Sequence, residues 1–286
     1  MKDAIFVALQ HIVPHIFISR MAGKIANCEN TWFKNTFTRW FANRYQVNME
    51  EAQESDLTAY KNFNHFFTRP LKDGARSLPE NPNAIVSPAD GAISQIGNIT
   101  GEQNNARIFQ AKGFDFSVEE LLGCDLGTAQ QFHNGHFTTV YLSPKDYHRV
   151  HIPAAGTLKR MSYIPGHLFS VNNATVSRVP RLFSRNERVA CLFETENGPM
   201  AVVLVGAMIV GGMETVWHGQ VGRQGELQHW DYSGDDTPTL EKGDELGRFM
   251  LGSTAIVLFG PNQIQWDDTI KSGDSVQMGQ ALGTSA

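Results

Sequence analysis

The chain changes texture near residue 75, and this change limits its fold more than any other feature. Ahead of it, apolar residues recur at helical spacing: Ile5, Phe6, Leu9, Ile12, Val13, Ile16 and Phe17, then Phe33, Phe37 and Phe41, with Trp32 and Trp40 on or near that second face. Thr58 to Phe67, closing before Pro70, reads as a third short helix. Beyond it, short β-branched runs alternate with Gly and Pro turns at 84–86, 91–96, 137–142, 201–205 and 255–259. One helix interrupts them at Ser117 to Leu122, with Ser117 as N-cap and Glu120 closing a capping box. The expected fold is α+β: amphipathic helices over residues 1–74, then a β-rich, sandwich- or barrel-like domain over 75–286.

Charge and composition remove several function classes. A net charge of -5 argues against broad nucleic-acid binding. Cys28, Cys124 and Cys191 form neither a disulfide framework nor a metal spacing, which favours a reducing compartment. The run from Ala4 to Ser19 contains Gln10, His11, Pro14 and His15, whereas a bilayer span needs about 20 predominantly apolar residues. Asp3 also spoils the basic start of a signal peptide. Between residues 20 and 44, however, Arg20, Lys24, Lys34, Arg39 and Arg44 stand against Glu29 alone. Basic residues around an aromatic helical face suit an interfacial helix on anionic lipid. Packing of the same faces on a core is the equal alternative.

Chemistry concentrates in three places. Asp90 lies in the turn Ser87-Pro88-Ala89-Asp90-Gly91, where an Asp before Gly is most often turn chemistry. His148 and His151 lie in Asp146-Tyr147-His148-Arg149-Val150-His151, an extended segment whose odd spacing separates the two rings. Neither Cys nor Glu completes a zinc set there, so no metal is expected. Gly252-Ser253-Thr254 sits between apolar runs. It reads either as a glycine kink before a buried strand or as a serine placed to attack its own preceding peptide bond. Such a serine needs a base, and Asp90, His151 and Ser253 could supply a triad. Lys242-Gly243-Asp244-Glu245-Leu246-Gly247 is echoed weakly by Met278-Gly279-Gln280-Ala281-Leu282-Gly283, like the hairpin turns of carrier-type β-sandwiches.

Ordered motifs along nearly the whole chain resemble bacterial phosphatidylserine decarboxylases, which depend on a pyruvoyl group. They are Phe63-Asn64-His65-Phe66-Phe67-Thr68-Arg69-Pro70-Leu71, the Ser87–Gly91 turn, Gln110-Ala111-Lys112-Gly113 and the 146–151 segment. Pro165-Gly166-His167-Leu168-Phe169-Ser170-Val171-Asn172, Asn186-Glu187-Arg188-Val189, Gly206–Gly211 and Leu251-Gly252-Ser253-Thr254 complete the set. The resemblance implies that a proenzyme cuts itself at 252/253 into a large chain (1–252) and a small chain (253–286) that stay associated. It makes Ser253 the source of a covalent pyruvoyl group that takes the substrate amine as a Schiff base, with no metal and no pyridoxal phosphate. Asp90 and His151 match the residues that complete the self-cleavage triad. His148 matches the first histidine of its segment, with a part in substrate handling or proton transfer. Residues 75–286 become the catalytic domain and 1–74 a membrane-associating region. The implied setting is peripheral, on the cytoplasmic face of the bacterial inner membrane, where phosphatidylserine is met in anionic lipid. A homodimer is the family-level expectation. Two rivals compete: a serine hydrolase using Asp90, His151 and Ser253, although a Gly-x-Ser-x-Gly elbow is absent, and a non-enzymatic carrier-like sandwich.

Overall fold

The computed structural model describes residues 7, 10, 15–102, 105–208, 212–222, 225–250 and 253–286. Helices lead and sheets follow, as the texture predicts. His15–Ala26 and Thr31–Tyr45 are helical. The apolar run ahead of His15 lies outside the described residues apart from Val7 and Gln10. Asn30 starts the second helix by accepting a bond from the Phe33 amide, and Gln46 ends it in the left-handed conformation. The third helix is shorter than Thr58–Phe67. It covers Phe63–Phe67, because the Asn62 side chain accepts from the His65 amide and fixes the start there.

The aromatic face of the second helix is divided between core and solvent. Phe41 is buried, and Phe37 packs at 4.7 Å from Phe63. Together with Ala26, Ala42, Tyr60, Phe66 and Phe67 they form a separate small core. Lys34 is likewise structural, since its ammonium donates to the Thr58 and Tyr60 carbonyls. Trp32 and Trp40 remain outward, 77% and 55% exposed. Packing therefore holds for Phe37 and Phe41, while Trp32 and Trp40 stay on the surface.

A nine-stranded antiparallel sheet dominates the remainder. Its order is Gln228–Asp231, Gly156–Ile164, Arg188–Thr195, Gly198–Gly206, Ser253–Phe259, His136–Leu142, Gly91–Asn98 and Ser275–Val276, with Thr239–Leu240 also on Gly156–Ile164. Residues of opposite parity serve opposite cores. Ala201, Val203, Val205, Ile256 and Leu258 enter one; Met200, Val202, Leu204, Ala255 and Val257 enter the other, beside Val150 and Ile152. Burial on both faces explains why these strands read as continuous apolar runs rather than as alternations. Three smaller sheets complete the fold, and among the described residues none of the sheets closes into a barrel. The capped helix is present as Val118–Leu122, with Ser117 accepting from the Glu120 amide.

The hairpin echo belongs to a larger internal duplication. Val86 donates its amide to Pro153, and His151 donates its amide to Pro88, at 3.1 and 2.8 Å. Ser87 donates to Gln280 and accepts from Gly279; Ile152 donates to Asp244 and accepts from Gly243. Ser87-Pro88-Ala89-Asp90-Gly91 and Ile152-Pro153-Ala154-Ala155-Gly156 are thus equivalent turns, each clasped by its own echo hairpin and by the other turn.

Candidate active site

The clasped turns bring Asp90 and His151 into one neighbourhood. Asp90 ends one turn, and His151 immediately precedes the other. Arg149–His151 pairs with Glu245–Phe249 in a four-stranded sheet. The Phe249 amide also donates to the His148 carbonyl at 3.1 Å. Four residues later Ser253 opens a strand in the large sheet, where its Cα partners are Gly206 on one side and Leu142 on the other. Phe249 thus ends a strand of the four-stranded sheet, and Ser253 begins a strand of the large one. Gly252 lies outside the described residues.

The carboxylate of Asp90 is not on His151. It takes a two-pronged bond from Arg76 through Nε and Nη2, and its Oδ1 also accepts the Met278 amide at 2.8 Å. Arg76 reaches on to Glu51 at 2.8 Å. A guanidinium fork offers two charge-assisted bonds where a neutral imidazole offers one weaker bond, which accounts for the preference. His151 is held instead by its backbone neighbours. Its Nδ1 donates to the Gly243 carbonyl at 2.8 Å, which fixes the tautomer and leaves Nε2 as the acceptor. The Tyr147 hydroxyl donates to Nε2 at 3.1 Å. Burial holds the His151 pKa below the ordinary histidine value, and it pushes the Tyr147 phenol up to about 12. Asp90 acts on His151 through space alone, favouring its protonated form.

His148 is fully buried and stacks on Phe67 with centroids 3.9 Å apart. Among the described residues neither ring nitrogen has a hydrogen-bond partner. Burial, reinforced by the Arg69 guanidinium, lowers its pKa to about 3. The Ser143 and Pro144 carbonyls oppose this shift from nearby without meeting hydrogen-bond geometry. The side chain is thus a neutral imidazole, with the Ser143 and Pro144 carbonyls as its nearest acceptors. Thr254 Oγ1, next to Ser253, is also buried and unpartnered among the described residues. Thr254 shares its strand face with Ile256 and Leu258, opposite to that of Ala255 and Val257, so the His148 imidazole is the open polar group that fits a carbonyl at position 253. No cluster of metal-ligating side chains occurs among the described residues.

A cavity of about 550 Å³ adjoins this centre. Asp90, Tyr147 and Ser143 wall it on the sheet side; Gln46, Asn48 and Glu51 wall it on the side of the helical region. Arg69, Arg76, Lys145, Asp146 and Tyr141 also line it. Sequence reading singled out Asp90 and His151 but not Arg76 or Tyr147. Tyr147 stands beside His148 in a quoted motif, whereas Arg76 has no local pattern to mark it.

The whole chain has counterparts of known name. The family described as phosphatidylserine decarboxylase matches residues 63–284, and one described as PSD matches residues 5–46. A phosphatidylserine decarboxylase proenzyme of Pseudomonas fluorescens is 60% identical over 288 residues, covering 100% of this chain and 99% of the relative. Proenzymes of Pseudomonas putida and Pseudomonas entomophila are 59% and 57% identical, covering 99% and 100% of this chain and 98% and 99% of their own lengths. With likeness at this level from end to end, the chain belongs to the phosphatidylserine decarboxylase family.

Proposed function

We propose that this protein converts phosphatidylserine to phosphatidylethanolamine and carbon dioxide, using a pyruvoyl group made from Ser253 by cutting its own Gly252–Ser253 bond. One observation carries the reading. In a chain matching decarboxylase proenzymes end to end, that bond falls between a strand tied to His148 and a strand gripped on both sides.

In the cutting step, the neutral His151 takes the Ser253 hydroxyl proton at Nε2 once Tyr147 yields its place. The Ser253 oxygen attacks the Gly252 carbonyl carbon, the peptide C–N bond breaks, and the nitrogen receives the proton. A base removes the Ser253 Cα proton as the ester Cβ–O bond breaks, leaving Gly252 with a free carboxylate and residue 253 as an enamine. The enamine takes a proton at Cβ to become an imine, and water then replaces its nitrogen, releasing ammonia. Asp90, held by Arg76, stabilises the charged His151 through space. A pyruvoyl carbonyl supplies an electron sink for decarboxylation of a substrate amine bound to it. In this reading His148, buried against Phe67, takes the part in substrate handling or proton transfer that its motif implies. The small chain stays woven into the fold. Ser253–Phe259, Ser275–Val276 and Ala281–Ser285 each pair with strands of the large chain.

No helix among the described residues is long and apolar enough to cross a membrane. Residues 1–74 serve in this reading as the membrane-associating part, at the cytoplasmic face of the bacterial inner membrane. Exposed Phe17, Met21, Ile25, Trp32 and Trp40 supply apolar contact, and Lys24, Arg39 and Arg44 attract anionic lipid.

Denaturing mass spectrometry and carbon-dioxide release from phosphatidylserine vesicles test the proposal. Two chains and gas release are expected, and Ser253→Ala should leave one chain of 31.8 kDa with no release. Active protein that remains whole would rule out the mechanism. Such protein labelled at Ser253 by a serine reagent would behave as a hydrolase.

A further inference from the structure

We propose that Arg69 is the binding residue for the phosphodiester anion of the substrate headgroup; the assignment rests on the lipid-decarboxylase reading above. Three cations line the 550 Å³ cavity. Arg76 is committed to Asp90 and Glu51. Lys145 is exposed, and among the described residues it forms no ion pair. Arg69 is different: it is only 3% exposed, yet no carboxylate among the described residues lies within ion-pair distance of it. Its Nε has no hydrogen-bond partner there, and its Nη2 makes only long contacts, 3.3 and 3.5 Å, with the Lys145 and Asp146 carbonyls. The guanidinium is nevertheless placed, 5.5 Å above the Phe66 ring.

An arginine does not shed its proton to escape burial. A buried cation without an anion costs several kcal/mol, and that cost makes sense where a ligand brings the anion. The substrate carries two anions, its carboxylate and its phosphodiester. The carboxylate must lose its charge as carbon dioxide leaves. A guanidinium clamped on it would stabilise the ground state and raise the barrier. The phosphodiester keeps its charge throughout, so binding it costs the reaction nothing. The cavity is suitably placed for a headgroup. Its walls run from Asp90 and Tyr147 to Gln46 and Asn48, just after the helix that carries Trp32 and Trp40.

Calorimetric titration of the mature protein tests this with three soluble probes. Glycerophosphoethanolamine has the phosphodiester without the carboxylate, free serine has the carboxylate without phosphate, and inorganic phosphate is the non-lipid source. Arg69→Gln should weaken glycerophosphoethanolamine binding about tenfold or more, and Arg69→Lys should weaken it less, because the charge survives but the fork is lost. Serine binding should not change. Two-chain processing, read by mass spectrometry, verifies that each variant folds, and Arg69→Lys decides the matter if Arg69→Gln does not. Equal binding of glycerophosphoethanolamine by wild type and variant, or no binding by wild type, would overturn the assignment. So would a parallel loss of serine binding, which would place the carboxylate on Arg69, or tighter binding of inorganic phosphate than of the diester. If the diester binds through Arg69 while phosphatidylserine releases no carbon dioxide, the decarboxylase reading fails and the anion site stands.

Discussion

The backbone amide of His151 donates to the carbonyl of Pro88 at 2.8 Å, and the reciprocal bond from Val86 to Pro153 completes a clasp between two equivalent turns. Two residues 61 positions apart in sequence, Asp90 and His151, are thereby neighbours without touching each other's side chains. The duplication puts a carboxylate in only one of its turns, since Ala155 occupies the place of Asp90 in the other. The centre is therefore asymmetric although its scaffold is nearly two-fold.

The close approach of the Gly91–Asn98 strand to His136–Leu142 makes Gly91 critical. A Cβ there would lie 2.2 Å from the Tyr141 carbonyl oxygen, so backbone must move, and Asp90 moves with it. Gly91→Ala should cost about 1–3 kcal/mol and slow self-cutting. Urea unfolding in a Ser253→Ala background gives the first number, and the rate of chain appearance on a gel gives the second. Gly97→Ala is the control, because its Cβ would meet only Phe137 Cε1 at 4.0 Å. It should stay within about 0.5 kcal/mol. Equal effects at the two glycines would contradict the close contact of Gly91 with Tyr141.

Tyr147→Phe removes the hydroxyl that donates to His151 Nε2. That bond favours the neutral ring, so its loss raises the His151 pKa. A base works only when neutral, and the cutting rate falls as pH drops through that pKa. The acid limb of the rate should therefore move to higher pH by about 0.5–1 unit, the equivalent of one neutral hydrogen bond. Above the limb the variant should cut at least as fast, since Nε2 is no longer occupied. A profile superimposable on wild type would show that His151 is not the base.

The sequence exposes the parts of this fold governed by local periodicity or capping. Ser117 starts its helix as expected, whereas the sequence reading passes over the cap at Asn62 in favour of a longer helix from Thr58. The central strands show as apolar runs because both faces are buried. The equivalence of Ser87–Gly91 and Ile152–Gly156 does not emerge from the sequence reading, because the echo hairpins alone match too briefly; the backbone bonds between the turns reveal it. Long-range partner choice was not legible. Arg76 outcompetes His151 for Asp90 through a geometry that no spacing encodes. Phe37 and Phe41 turn inward because the Phe63–Phe67 helix provides an aromatic surface, which the helical period of residues 31–45 cannot disclose.

Acid should weaken the precursor through His148. Its folded pKa is depressed to about 3, whereas an unfolded histidine titrates near 6.5. The unfolded chain therefore binds the extra proton between those values, and stability falls as pH is lowered through that window. The stabilising difference is complete above about pH 6.5 and erodes by up to about 1.4 kcal/mol per pH unit below it. His148→Gln in the Ser253→Ala background should remove close to one proton from the slope of unfolding free energy against pH. His151, also depressed, continues to contribute in both proteins. Parallel slopes for the two proteins would show that His148 is accessible to protons in the folded state.

The second helix divides its aromatic residues between core and surface. Trp32 and Trp40 are exposed, while Phe41 lies at the centre of the small aromatic core, 4.9 Å from Phe63 and 6.0 Å from Phe67. An interfacial helix gains its affinity from apolar area transferred to lipid and from basic residues attracted to anionic headgroups. Replacing both tryptophans, as Trp32→Ser with Trp40→Ser, should therefore reduce co-sedimentation with anionic vesicles about tenfold or more. Self-cutting measured without vesicles should proceed normally. Phe41→Ala should do the reverse: it empties a packed site and costs about 3–5 kcal/mol of folding stability, with vesicle binding changed only as far as the helical region unfolds. Raising the salt concentration should weaken wild-type binding, because Lys24, Arg39 and Arg44 act through a screened field. Vesicle binding unaffected by the tryptophan substitutions would move the membrane contact to another surface, whereas a stability loss from them matching Phe41→Ala would mean that the tryptophans are core residues.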